Sequence, residues 1–241
     1  MTYYYTVTAV DIEGDESPLS AEVSATPSVP SNPPDLTLTF HNTDTSETPT
    51  KVWTISNLDS ATPSVTNGAV NSVSGTPGSL APGNSFSLTA SALDDWSTAA
   101  AQNNATNFNP FLSGLVSNSG SGIGVVAGGG MGVYQIGVNG DTWMAGTNEA
   151  IVLTVDTGGL PGTVQLSLTK LTFANLTAGD RVDFVVFRPA TNQVIHQQWN
   201  VQAAPSGSWE LQHGDKIIVA TGSSNGANSF RLSTFTFHLG N

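Results

Sequence analysis

The stretch that decides the fold class is Val164-Gln165-Leu166-Ser167-Leu168-Thr169-Lys170-Leu171-Thr172-Phe173. Apolar residues occupy alternate positions up to Leu168, which is the period of a β-strand with one buried face. Leu171 and Phe173 then continue the alternation one residue out of step, and a one-residue slip within a strand indicates a β-bulge. Because bulges bend sheets, this stretch predicts a curved sheet of the kind found in jelly-roll sandwiches.

Two further stretches extend this prediction. Phe230 and Leu232 give way to Phe235, Phe237 and Leu239, which are one residue out of step in the same manner. The run Val182-Asp183-Phe184-Val185-Val186-Phe187 is apolar at nearly every position, as expected of a strand buried on both faces. Together with many other short alternating segments, they predict an all-β, antiparallel, jelly-roll-like sandwich over residues 35–241.

One segment departs from the strand pattern. Leu93-Asp94-Asp95-Trp96-Ser97-Thr98-Ala99-Ala100-Ala101-Gln102 contains good helix formers, and its acidic residues come early, where they complement the helix dipole. Ser91 could supply the N-cap. The sequence therefore predicts one short helix between the strands of the sandwich.

The first residues form a separate β pattern. Tyr3, Tyr5, Val7 and Ala9 alternate with Tyr4, Thr6 and Thr8; a turn follows at residues 11–15 and a returning strand at residues 19–25. Four prolines then fall within residues 27–34, and proline cannot continue a sheet ladder. The expected organisation is a hairpin over residues 1–27, a Pro-rich linker over residues 28–34 and a sandwich domain over residues 35–241.

The hairpin pattern resembles the last two strands of a fibronectin type III domain. The resemblance is carried by Tyr5-x-Val7-x-Ala9-Val10-Asp11, Gly14, Glu16-Ser17, Ser20 and Val23-Ser24-Ala25-Thr26-Pro27. It implies a truncated fibronectin hairpin, cut from a longer modular protein. It also implies a secreted or cell-surface bacterial protein, because such spacers occur in exported polysaccharide-degrading enzymes and surface proteins.

A looser resemblance covers residues 137–239, which are similar to jelly-roll modules of exported bacterial proteins. It is carried by Gly137-Val138-Asn139-Gly140, by the acid-then-strand run Glu149 to Asp156, and by Phe230-Arg231-Leu232 before the last strand. This resemblance implies the sandwich fold and brings no active site with it.

The composition and charge of the chain limit the classes of partner that it can bind. The chain has 241 residues, of which 18 are acidic and 6 basic, and its formal net charge is −12. Such an excess of acidic residues argues against nucleic acid as a partner, because its binding depends on clustered positive charge, and against an anionic membrane surface.

No apolar run is long enough for membrane insertion as a helix. The absence of cysteine excludes disulfides and thiolate chemistry. Neutral polysaccharides, surface glycans and calcium remain as possible partners.

Asp141, Glu149 and Asp156 are the candidate ligands for a structural calcium ion. Calcium prefers six to eight oxygen ligands, and these acids surround a predicted hairpin rich in carbonyl and amide oxygens. The alternative is ordinary turn chemistry, in which Asn139-Gly140-Asp141 satisfies its own backbone groups.

Trp143, Trp199 and Trp209 are the candidate stacking platforms for sugar rings, and Gln197 is a candidate hydrogen-bonding partner for sugar hydroxyls. All four lie in the second half of the chain, near Gly-rich or amide-rich segments. The alternative for each tryptophan is burial in the core of the sandwich.

Glu149 and Glu210 are the candidate catalytic pair of a glycosidase, which needs two carboxyl groups across the scissile bond. The alternative is a pair of solvated acids at strand ends. Three functional hypotheses thus stay open: a non-catalytic carbohydrate-binding or surface-interaction module, a jelly-roll glycoside hydrolase acting through the Glu pair, and a structural module that self-associates through residues 1–27.

Overall fold

A computed structural model describes residues 3–25, 35–39, 50–58, 62–66, 69–74, 83–96, 115–119, 122–126, 136–137, 148–174, 176, 178, 180–222 and 229–240. The chain divides into two compact units, Met1–Asn32 and Pro33–Asn241, and each is described by itself. The predicted linker at residues 28–34 lies outside the described ranges.

The first unit is a two-stranded antiparallel ribbon. Strand β1 (Tyr3–Tyr5) pairs with β2 (Val23–Ala25), and Tyr4 lies opposite Ser24. Between the strands, the side chains of Ser17 and Ser20 accept hydrogen bonds from the backbone N–H groups of Ala9 and Val7. These serine contacts hold the middle of the ribbon together where the regular ladder is interrupted.

The second unit contains the remaining strands. In chain order they are β3 (Asp35–Thr39), β4 (Thr50–Ser56), β5 (Ser64–Val65), β6 (Ala69–Ser74), β7 (Phe86–Trp96), β8 (Leu115–Ser119), β9 (Gly122–Val126), β10 (Ile136–Gly137), β11 (Asn148–Asp156), β12 (Gln165–Ala174), β13 (Val182–Arg188), β14 (Gln193–Val201), β15 (Ser206–Leu211), β16 (Lys216–Thr221) and β17 (Ser229–Gly240).

These strands form two antiparallel sheets. The eight-stranded sheet has the order β15-β12-β17-β3-β6, with β9 and β10 also pairing with β17 and β8 pairing with β9. The seven-stranded sheet has the order β14-β13-β16-β11-β7-β4-β5. The two sheets share one hydrophobic core, in which Phe86 of one sheet and Phe237 of the other meet edge to face at 5.2 Å. The predicted all-β sandwich is therefore confirmed.

Both predicted slips are β-bulges. The register of β12 shifts between Leu168 and Lys170 against both of its neighbours, and the pairing of β12 with β17 shifts again between Thr172 and Phe173. The shifts return the next apolar residues to the core, where Leu171 and Phe235 are fully buried. The strand at Val182–Arg188 is buried at every position except the last, as its continuous apolar pattern predicts.

The predicted helix is wrong for the part of it that the structure describes. Residues 93–96 continue strand β7, and Leu93 pairs with Ala150 of β11. Pairing of these residues with Asn148 and Ala150 of β11 outweighs the local helix propensity. Residues 97–102 lie outside the described ranges. Among the described residues the helical structure is a short 3-10 turn at Pro189–Thr191, and none of their helices could span a bilayer.

An aromatic stack joins the open edges of the two sheets. His196 of edge strand β14 lies 4.7 Å from the ring centre of Trp209 on edge strand β15, and 5.8 Å from that of Phe184. The Nε2 atom of His196 is buried and has no hydrogen-bond partner within the described part of the protein. This burial lowers the pKa of His196 below its usual value.

A loss of stability on mild acidification follows from the His196 environment. Because the folded-state pKa is lowered, the unfolded chain binds the proton more readily once the pH falls below about 6.5, the usual histidine pKa. The contribution of His196 to the free energy of unfolding is therefore fully present at pH 7.5 and decreases toward pH 5.5. We expect His196→Phe, which keeps the ring stack without a titrating group, to reduce this decrease in thermal unfolding experiments. An equal decrease in both proteins would contradict the assignment.

Candidate functional site

A cleft of about 390 Å³ opens at one end of the sandwich. It lies between the loop that joins β11 to β12 and the turn that joins β15 to β16. The residues that line it are Thr157, Leu160, Pro161, Gly162, Val164, Gln165, Leu166, Glu210, Leu211, Gln212 and His213. Polar and apolar residues share the lining, so the cleft is more polar than most small-ligand sites.

The loop side of the cleft is fixed by backbone contacts. The carbonyl of Gly159 accepts a hydrogen bond of 3.0 Å from the N–H of Ser85, just before β7. A Cβ atom at position 159 would lie 2.6 Å from the carbonyl oxygen of Ser85, so only glycine allows this approach. Two turns follow in the loop: the carbonyl of Thr157 accepts a hydrogen bond from the N–H of Leu160, and the carbonyl of Pro161 accepts one from the N–H of Val164.

Asp156 and His213 connect the two sides of the cleft. Oδ1 of Asp156 accepts a hydrogen bond of 2.8 Å from the N–H of Gly158 and lies 2.9 Å from Nδ1 of His213. The Gly158 N–H, and to a lesser extent His213, lowers the pKa of Asp156. Both side chains are well exposed, at 56% for Asp156 and 71% for His213. The contact therefore orients the imidazole of His213 through Nδ1, and its second nitrogen, Nε2, does not take part in this contact.

A buried ion pair supports the turn that carries Glu210 and His213. The guanidinium of Arg188 lies 2.8 Å from Oδ2 of Asp215, whose side chain is almost completely buried, and this contact raises the pKa of Arg188. The same carboxylate accepts a hydrogen bond of 2.8 Å from the N–H of Gln212, and Arg188 also donates to the carbonyl of Glu210 at 3.3 Å. The ion pair thus fixes the backbone of the turn from below.

The structure does not bring Glu149 and Glu210 together. Glu149 is buried near the start of β11, whereas the N–H of Val155, close to the other end of the strand, bonds to the carbonyl of Asp215 beneath the cleft. Val155 is six positions beyond Glu149 along the strand, a distance of roughly 20 Å. Glycosidase carboxyl groups lie about 5–10 Å apart. Glu210 lines the cleft, and Glu149 lies at the far end of the sandwich.

The candidate calcium ligands are also separated. Glu149 and Asp156 lie seven residues apart on β11, or roughly 23 Å along the strand, whereas calcium binds its ligands at about 2.4 Å. One ion therefore cannot contact both carboxylates. Asp141 lies outside the described residues.

The candidate stacking residues have different environments. Trp209 is only 7% exposed and packs against Phe184 and His196, so it lies in the core, which is the alternative that the sequence left open for it. Trp199 and Gln197 share the outer face of edge strand β14, where Gln197 is exposed and Trp199 is half-buried against a second apolar cluster. Trp143 lies outside the described residues.

Sequence reasoning missed the residues that organise the cleft: Arg188, Gln212, His213 and Asp215. His213 and Asp156 are 57 residues apart and meet only because β11 pairs with β16. One signal was available for the ion pair. The chain contains only six basic residues, and Arg188 directly follows a continuously apolar strand, where a charge needs a partner.

No protein family, curated protein or solved structure that was compared with this chain matches it. The class defined by the fold and the site is therefore an antiparallel β-sandwich with a small polar cleft at one end. The polar side-chain groups in this cleft are a carboxylate, an imidazole, two amides and a hydroxyl, which are suited to hydrogen bonds with a hydroxyl-rich ligand.

Proposed function

We propose that this chain is a non-catalytic carbohydrate-binding module and that the cleft beside Glu210 and His213 is its glycan site. The observation that carries the proposal is the cleft itself, whose lining combines the polar side chains of Glu210 and His213 with the apolar side chains of Leu160, Pro161 and Val164. Export from a bacterial cell as part of a multidomain protein is also proposed, and it is supported by the fibronectin-like pattern of residues 2–27.

The chemistry of the cleft favours a neutral sugar. Its volume falls in the range of about 300–1,000 Å³ that is typical of small-ligand sites. The carboxylate of Glu210 accepts hydrogen bonds from hydroxyl groups, while the amides of Gln165 and Gln212 both donate and accept. With Asp156 at the edge, the cleft has two carboxylates near its opening, and these would repel an acidic sugar.

Binding without hydrolysis is the better-supported version of the proposal. A glycosidase would need Glu149 and Glu210 close together, but Glu149 lies roughly 20 Å along β11 from Val155 beneath the cleft, whereas Glu210 lines the cleft. Gln197 and Trp199 offer a second surface on the outer face of β14, and Trp199 is half-buried there. The cleft is preferred over this surface because the Arg188–Asp215 ion pair anchors the backbone of the turn that carries Glu210 and His213.

Substitution of the cleft residues should weaken glycan retention. We expect Glu210→Gln and His213→Ala each to reduce affinity for a retained neutral polysaccharide by about tenfold, which corresponds to the loss of about 1.4 kcal/mol. Native gel electrophoresis through gels that contain the polysaccharide would measure the change. Gln197→Ala is the matched control and should leave retention unchanged. If Gln197→Ala alone abolishes retention, the site is the face of β14 and the cleft assignment is wrong.

A further inference from the structure

The contact between Asp156 and His213 restricts where the imidazole can carry its proton. The N–H of Gly158 holds the pKa of Asp156 below its usual value, so this carboxylate is ionised near neutral pH and only accepts hydrogen bonds. Its Oδ1 atom lies 2.9 Å from Nδ1 of His213, and a hydrogen bond between them requires a proton on Nδ1. Because a neutral imidazole has one N–H, Nε2 of His213 is left with a lone pair that accepts hydrogen bonds.

The other polar groups of the cleft do not supply donors to balance this lone pair. Glu210 lines the same cleft as His213, and an ionised carboxylate also only accepts hydrogen bonds. The hydroxyl of Thr157 and the amides of Gln165 and Gln212 both donate and accept. Among the described residues that line the cleft there is no lysine or arginine, whose side chains only donate. The cleft therefore needs hydrogen atoms from its ligand.

This need distinguishes a free sugar hydroxyl from a substituted one. A free hydroxyl donates one hydrogen bond, whereas an O-methylated hydroxyl keeps its oxygen and has lost its hydrogen. An ether oxygen placed against Nε2 of His213 or the carboxylate of Glu210 would leave both acceptors unpaired, which weakens binding. A site that accepts a hydrogen bond from a ligand hydroxyl rejects the analogue without it more strongly than apolar contacts alone could.

We propose that Asp156 is a positioning residue that holds His213 in the Nδ1–H tautomer, so that the cleft binds glycans with free hydroxyl groups and rejects their O-methylated forms. Nε2 of His213 accepts a hydrogen bond from one hydroxyl of the glycan, and the carboxylate of Glu210 accepts one from another. The tautomer follows from the contacts of Asp156 alone, whereas the choice of ligand rests on the proposed glycan-binding function.

The tautomer is tested by nitrogen-15 NMR of the labelled full chain at about pH 8, above the usual range of histidine titration. Two-bond proton–nitrogen correlations identify the protonated ring nitrogen, and His213→Gln assigns the signals by their loss. We expect the Nδ1–H tautomer of His213 in the wild type and its loss in Asp156→Ala. Asp35→Ala is the matched control: Oδ1 of Asp35 lies 2.9 Å from Nδ1 of His238, so only the signals of His238 should change. An Nε2–H tautomer of His213 in the wild type, or the same tautomer in Asp156→Ala, would overturn the proposal.

The choice of ligand is tested by isothermal titration calorimetry of the full chain. The probes are the tetrasaccharides of cellulose, xylan, mannan and amylose, each with free hydroxyl groups and fully O-methylated. We expect at least one free tetrasaccharide to bind and its methylated form to bind at least about tenfold more weakly. Equal binding of the two forms would overturn the proposal. If no free tetrasaccharide binds, the choice of ligand falls together with the glycan-binding function, whereas the NMR result decides the tautomer by itself.

Discussion

Asp215→Ala is expected to lower the free energy of unfolding by about 3–5 kcal/mol, because it leaves a largely buried guanidinium without its counter-ion. Arg188 contacts both carboxylate oxygens of Asp215, at 3.0 Å and 2.8 Å, and its side chain is only 14% exposed. The substitution also removes the acceptor for the N–H of Gln212. The turn that carries Glu210 and His213 should therefore become less ordered, and glycan retention should fall as well.

Urea denaturation of the wild type and the variant would measure this loss. Asp156→Ala is the matched control, since it removes an exposed carboxylate whose contact with His213 contributes about 0–1 kcal/mol. A second comparison is the double substitution Arg188→Met with Asp215→Leu, which leaves no unpaired charge and should be considerably more stable than Asp215→Ala. If Asp215→Ala costs no more than Asp156→Ala, the ion pair does not anchor the turn.

Trp209→Ala is expected to cost about 3–5 kcal/mol, the usual range for truncating a buried aromatic side chain. The indole packs 4.9 Å from Phe184 and 4.7 Å from His196, and Gly207 lies so close that a Cβ there would be 2.8 Å from the ring. Truncation would leave a cavity between the edges of the two sheets. The loss should appear in stability and not specifically in glycan binding.

Trp199→Ala provides the comparison for Trp209→Ala. Its indole is half-buried on the outer face of the seven-stranded sheet, so truncation should cost clearly less stability than truncation of Trp209. Both values would come from the same urea denaturation series. If the Trp209→Ala variant unfolds at the same urea concentration as the wild type but no longer binds glycan, the core assignment is contradicted. Trp209 would then be a sugar platform.

The sandwich was predictable because strand periodicity is a local signal. The slips after Leu168 and after Leu232 each located a bulge, since a bulge must return the following apolar residues to the buried face. The segment at residues 93–96 was not predictable from local propensity. Its acidic and helix-forming residues satisfy the rules for a helix start, yet pairing with Asn148 and Ala150 of β11 determines its conformation.

The cleft was only partly predictable for the same reason. Glu210 and Asp156 were both candidates, but the predicted partner of Glu210 was Glu149 and those of Asp156 were Asp141 and Glu149. The actual neighbour of Asp156 is His213, which arrives through the pairing of β11 with β16. The burial of Trp209 likewise depends on the contact between β14 and β15, strands that belong to different sheets.

The measurement that tests the central claim most directly is an incubation of the pure protein with a panel of plant, algal and bacterial polysaccharides. Each sample would be assayed for depletion of the protein from solution and for release of new reducing ends. A glycan-binding module should be depleted by at least one neutral polysaccharide, without new reducing ends. New reducing ends would contradict the non-catalytic assignment, and failure of every polysaccharide to retain the protein would contradict glycan binding itself.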